Sequence, residues 1–133
     1  MKQRALTMLL HSGNSENEDA LLVIRLAESA LKNGYGVNIF LCGNGVYLSK
    51  KEQRKKSCEK LTEGYLHHIQ DHRLGDRLEK LLAMGANVAT LSANEYARGI
   101  DALETRKGIR RGDMAHSFCN FLLSSDVLLN FGH

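Results

Sequence analysis

The sequence contains no proline and no tryptophan, and aromatic residues make up only 6% of its 133 positions. Without proline, turns and helix ends fall to glycine, asparagine, serine and aspartate, so those residues mark the boundaries. No apolar run approaches the roughly 20 residues needed to cross a bilayer, which argues against a membrane partner. Residues 1–13 place Lys2 and Arg4 before a short apolar run, a faint imitation of a signal peptide. Thr7 breaks that run and no small-residue cleavage site follows, so it reads as the first β-strand of a cytoplasmic protein. Cysteine is sparse: Cys42, Cys58 and Cys119 lie far apart with no CxxC pair, which excludes a disulfide framework and points to reduced thiols. A formal charge of +3 is too small to suggest nucleic acid by itself.

What is present suits one globular domain spanning residues 1–133, with 43% hydrophobic and 25% charged residues. Ala5 to Leu10 is a compact apolar run ending in His11-Ser12-Gly13-Asn14, a strand followed by a turn. Ser15 to Glu18 has capping-box spacing, and the apolar positions from Leu21 to Leu31 recur at helical period until Gly34. Gly36 to Cys42 reads as a second strand, closed by Gly43-Asn44-Gly45. Strand, five-turn helix and strand make a βαβ unit, which requires a parallel right-handed crossover.

From about residue 48 to 72 the apolar signal fades into a polar insertion. Leu74, Leu78, Leu81 and Leu82 restore a helix that ends at Gly85. Asn87 to Leu91 is a third strand, and Ser92-Ala93-Asn94-Glu95 repeats the capping-box spacing before Arg98-Gly99. Asp101 to Glu104 offers another helix start. Asp113 is placed to cap a last helix with Met114, Phe118, Phe121 and Leu122 on one face, and Val127 to Phe131 closes the chain as a strand. The alternation predicts a three-layer α/β/α sandwich on a mainly parallel sheet of four to five strands.

In such sheets ligands bind beyond the carboxyl ends of the strands. That rule selects His11, Ser12, Gly13 and Asn14; Cys42, Gly43, Asn44 and Gly45; Ser92, Ala93 and Asn94; and Gly132 with His133. Each cluster also reads as an ordinary turn and cap. Gly43-Asn44-Gly45 lacks the third glycine of GxGxxG, and no GxxxxGK[ST] occurs, which argues against nucleotide. His68 and His72 form an i, i+4 pair beside His67, but no HExxH or cysteine ligand supports a metal, and nothing implies a cofactor. Lys50 to Lys56 holds five cations in seven residues. No aromatic is interleaved to stack on bases, so it reads as a solvated face and not an RNA contact.

The stretch LTMLLHSGNSENEDALLVIRLAESALKNGYGVNIFLCGNGV resembles the start of the DsrE/DsrF-like proteins, with their acidic-capped helix and G-D/N-G-V turn. NVATLSANEYARGI is similar to that family's third strand, reactive loop and Arg-Gly, and SSDVLLNFG to its last strand. The resemblance covers most of the chain outside residues 48–72. It implies a parallel α/β fold, a homo-oligomer built as a trimer or hexamer, and a sulfur-transfer protein as partner. For the better-known members it implies a cysteine that relays persulfide sulfur.

Here the chain departs from the family. Relay members carry their cysteine just before Arg-Gly, whereas Val88 to Gly99 has none, and Leu91 and Asn94 stand at the expected spacings. The resemblance therefore implies a non-catalytic partner or small-ligand-binding protein linked to sulfur metabolism. His11, Ser12, Asn14, Gly43, Asn44, Ser92 and Asn94 are its candidate ligand-binding residues. The alternative is a persulfide carrier using Cys42, at the right edge of the sheet, as a relocated thiol. The bland reading of Cys42 is a small buried core residue, as it is for Cys119 in the last helix. His11 at the same rim suits a proton carrier or anion contact near neutral pH, and its bland reading is a structural hydrogen bond.

Overall fold

Alternation of side chains along the central strands gives the sheet two buried faces, and the two faces collect different helices. The computed structural model describes residues 3–13, 18–51 and 74–132. Its strands are β1 (Ala5–Leu10), β2 (Gly36–Leu41), β3 (Asn87–Leu91), β4 (Arg110–Gly112) and β5 (Val127–Phe131). Its α-helices are α1 (Asp19–Lys32), α2 (Leu74–Ala83), α3 (Ser92–Ala97) and α4 (Cys119–Leu123). The sheet order is β4-β3-β2-β1-β5, and every pairing is parallel.

Met8, Leu10, Ile39, Leu41 and Val88 point to one face and pack on Val23, Ile24 and Ala27 of α1 and on Leu78 and Leu81 of α2. The intervening residues Phe40 and Ala89 point the other way, joined by Cys42, and meet Phe118 and Phe121. The Phe40 ring lies 5.2 Å from that of Phe118 and 6.4 Å from that of Phe121, tilted and edge-on, as aromatic quadrupoles prefer. Each fully buried side chain of this size contributes about 1.5–3 kcal/mol. This is the predicted sandwich, with helices on both sides of a five-stranded parallel sheet.

Several local expectations are corrected. The first helix starts at Asp19 with Glu18 as its N-cap, and Glu18 makes no capping bond. Ser15 lies outside the described residues. The second capping box does not form either: Leu91 is the N-cap, and the Glu95 side chain is wholly buried. It accepts from Ser49 Oγ at 3.0 Å and from Arg111 Nε, a charge pair that outcompetes an exposed cap.

The polar insertion expected from about residue 48 to 72 falls mostly outside the described residues. Gly43–Ser49 is a 3-10 helix in which Val46, Leu48 and Ser49 are buried, and residues 52–73 lie outside the described residues. Strand β4, Arg-Arg-Gly, has no apolar alternation to announce it, and its pairing with β3 is accompanied by the Arg111–Glu95 tie.

Near the C-terminus the Asp113 carboxylate accepts from the backbone N–H groups of His116 and Ser117, as a cap should. Phe118 and Phe121 are buried, but Met114 and Leu122 are exposed, so the expected four-residue apolar face is only half inside. Cys119 is exposed and not a core residue. The π-helical turn Met114–Phe118 that leads into α4 shifts the helical register on which that face depends. Among the described residues no helix is long and apolar enough to cross a membrane.

Candidate functional site

Parallel pairing sends the carboxyl ends of β5, β1, β2 and β3 to one edge, so the turns after them share a rim. The ladder runs one step beyond the strands: His11 N–H donates to Phe131 O and Cys42 N–H to Leu10 O, both at 3.0 Å. The Gly43-Asn44-Gly45 turn then folds over the end of β1. A Cβ on Gly45 would lie 2.4 Å from Leu10 O, and Gly43 sits at φ +54° with its Cβ position 3.2 Å from His11 O. Only glycine fits both places.

The β3 side is tied to this turn by polar bonds. Gly43 N–H donates to Asn94 Oδ1 at 2.6 Å. Arg98 donates from Nε to Asn44 Oδ1 at 2.8 Å and from Nη1 to Asn94 O at 3.3 Å. Asn44 and Asn94 therefore act first as braces that hold the two turns together. Ser92 begins α3 behind its N-cap Leu91, and the bracing runs through Asn94 instead. Ser12 is buried beside Gly132, with its Oγ 2.8 Å from where a Gly132 Cβ would be. Asn14, His133, Cys58, His67, His68 and His72 lie outside the described residues. Among the described residues, no group of three or more His, Cys, Asp or Glu side chains is placed to hold a metal.

Cys42 follows β2 on the same face as Phe40, and the residue is 6% exposed. Its Sγ lies 3.2 Å from His11 Nδ1 and 3.6 Å from Leu10 O. Burial pushes the Cys42 pKa up to about 11, against a smaller opposing pull from the Arg98 charge. The resting group at neutral pH is therefore a thiol. The far nitrogen of the same imidazole, Nε2, lies 2.8 Å from Asn130 Oδ1 on β5.

Asn130 is a rim residue that sequence reasoning misses. An asparagine in the strand Val-Leu-Leu-Asn-Phe is the available signal, but its partner depends on β5 lying beside β1, with Asn130 opposite Leu9. The surface depression lined by Arg25, Glu28, Ser29, Lys32 and Asn33 lies on α1 away from this rim. Glu28 there is engaged by Lys32 at 3.0 Å and Arg77 at 3.6 Å.

Comparison with known proteins gives a consistent picture of the fold. The chain is 30% identical over 125 residues to the uncharacterized protein MJ0989 of Methanocaldococcus jannaschii, covering 94% of this chain and 97% of that one. It superposes on the ychN protein of E. coli with a TM-score of 0.78 and 20% identity, covering 97% of this chain and all of that one. MTH1491 of Methanobacterium thermoautotrophicum, described as a protein of unknown function, gives a TM-score of 0.66 at 11% identity over 96% of this chain and 98% of that one. No family model matches the chain.

Proposed function

This chain belongs to the same family as MJ0989 of Methanocaldococcus jannaschii, and from its DsrE/DsrF-like sequence pattern we propose that it is a DsrE/DsrF-like cytoplasmic protein linked to sulfur metabolism. It works as a homo-oligomer and as a non-catalytic component, binding a small sulfur-bearing ligand or a sulfur-transfer protein at the rim. The observation that carries this reading is the use made of Asn94. It stands in the first turn of α3, where the resemblance places the thiol of relay members, and its side chain is committed to Gly43 N–H. That turn is a brace with no sulfur nucleophile in it. His11, Ser12 and Arg98 supply hydrogen-bonding and cationic character around it.

A second reading is favoured by one distance. Cys42 Sγ sits 3.2 Å from an imidazole nitrogen, which suits a persulfide carrier with a relocated thiol. Two measurements with thiosulfate and glutathione persulfide separate the readings. Saturable calorimetric binding, lost in His11→Ala and with no mass gain on the protein, supports the first. A sulfur atom added to Cys42 in the intact-mass spectrum supports the second. Neither binding nor mass gain overturns both.

Assembly is supported by apolar side chains left at the surface on α4 and β5: Leu122, Leu123, Val127 and Leu128, with Leu123 85% exposed. Light scattering is expected to give a trimer or hexamer that Leu123→Lys weakens. A clean monomer overturns the oligomer.

A further inference from the structure

The braces of the rim use Asn44, Asn94 and Arg98, but they leave one constellation unaccounted for. Cys42, His11 and Asn130 stand at the ends of three adjacent strands, β2, β1 and β5, where their side chains form one hydrogen-bonding row. An amide oxygen only accepts, so the ring nitrogen 2.8 Å from Asn130 Oδ1 is the one that carries hydrogen. Nδ1 then keeps its lone pair, and Nδ1 lies 3.2 Å from the Cys42 sulfur.

We infer that Asn130 is a positioning residue that fixes the His11 tautomer, so that His11 accepts the Cys42 proton when a sulfane-sulfur donor enters the rim. The inference rests on the reading in which Cys42 carries sulfur, and assigns the proton path of that reaction. The logic is that of other nucleophile–imidazole pairs, where a third group holds the ring with its acceptor nitrogen toward the nucleophile. In the opposite tautomer Nδ1–H would point at sulfur, and the acceptor nitrogen would be Nε2, farther from the thiol at 4.0 Å.

Burial disfavours a standing thiolate at Cys42, and the nearby cation opposes that effect more weakly. Cys42 is buried among Phe40, Ala89 and Phe118, which disfavours a permanent anion. Arg98, from the turn after α3, is the cation whose charge reaches Cys42. Asp19 at the start of α1 is the anion near the β5 end, its Oδ2 3.6 Å from the Cβ position of Gly132.

The step balances without an outside oxidant. Cys42 gives its proton to His11 Nδ1, and its sulfur attacks the outer sulfur of a donor R–S–SH. The new bond joins Cys42 Sγ to that sulfur as the donor S–S bond breaks. The electron pair leaves on R–S⁻, which takes the proton back from His11. The products are Cys42–S–SH and R–SH, with the transferred sulfur at its original oxidation level.

The test uses ¹⁵N-labelled full-length protein and glutathione persulfide. Long-range ¹H–¹⁵N spectra of neutral His11 are expected to show the Nε2–H tautomer in the native protein and to lose that preference in Asn130→Ala. The rate of sulfur loading on Cys42 should fall at least about a hundredfold in Asn130→Ala. It should recover in Asn130→Asp, which restores an acceptor oxygen without restoring the amide. Native His11 protonated on Nδ1, or an Asn130→Ala variant that loads at the native rate, overturns the inference. The Nε2–H tautomer in a native protein that never loads sulfur overturns the sulfur-carrying reading, and with it the proton role assigned to His11. It would leave the Asn130–His11 contact a structural one.

Discussion

Raising the pH against a fixed concentration of iodoacetamide tests the central electrostatic statement about Cys42. Alkylation consumes thiolate only. With its pKa pushed to about 11 from an ordinary 9.0, about one Cys42 in ten thousand is ionised at pH 7, against about one in a hundred for an unperturbed thiol. Cys42 should therefore react about 100-fold more slowly than a model thiol at pH 7 on ionisation alone, and burial of its sulfur slows it further. Steric shielding lowers the whole curve but leaves its slope unchanged. The rate should climb about tenfold per pH unit and level off only near pH 11.

The assay is site-resolved mass spectrometry of the peptide containing Cys42, with the exposed Cys119 in the same digest as an internal standard for the reagent. Arg98→Ala removes the cation that partly offsets burial, so it should slow Cys42 labelling and leave Cys119 unchanged. A Cys42 rate that is flat from pH 7 to 9, or equal to that of Cys119 at pH 7, would refute the reasoning. It would mean that His11 already holds the proton in the resting protein.

The same shift makes a statement about stability. The folded pKa of Cys42 lies above its unfolded value, so its contribution is complete below about pH 9 and is lost as pH rises toward about 11. Urea midpoints of the native protein should therefore fall relative to Cys42→Ala across that window, and parallel curves would contradict it. Gly45→Ala places a methyl group 2.4 Å from Leu10 O, so the turn must separate from β1. The expected loss is about 1–3 kcal/mol, read from the thermal midpoint, and an unchanged midpoint counts against the close approach. Arg111→Met removes the cation that pairs with the buried Glu95 carboxylate and leaves it the Ser49 hydroxyl. The expected cost is about 3 kcal/mol by urea denaturation, with β4 pairing lost first in hydrogen exchange.

Periodicity determined most of this protein's architecture in advance. The runs Ala5–Leu10, Asn87–Leu91 and Val127–Phe131 are short, apolar and bounded by turn residues, and they are strands with those same limits. Gly34 and Gly85 follow α1 and α2, as their positions after the last periodic leucines required. These features are local: a strand's alternation and a helix's stripe are written along consecutive residues, and the βαβ crossover follows from chain geometry. The convergence of the turns on one rim is a consequence of parallel pairing, so it too could be anticipated.

What only the folded chain decided is which distant residues share that rim and how each is used. Glu95 had the spacing of a cap, but in the fold it is a buried partner of Arg111, which arrives on a strand with no apolar signature. Asn94 stood among the candidate ligand-binding residues and serves as a brace. Asn130 had no spacing of note and meets His11 because β5 lies beside β1 on the side away from β2. Strand order is a long-range property, set by the packing of both faces at once and not by any window of sequence. A hydrogen-bond partner across that order is therefore legible only in three dimensions.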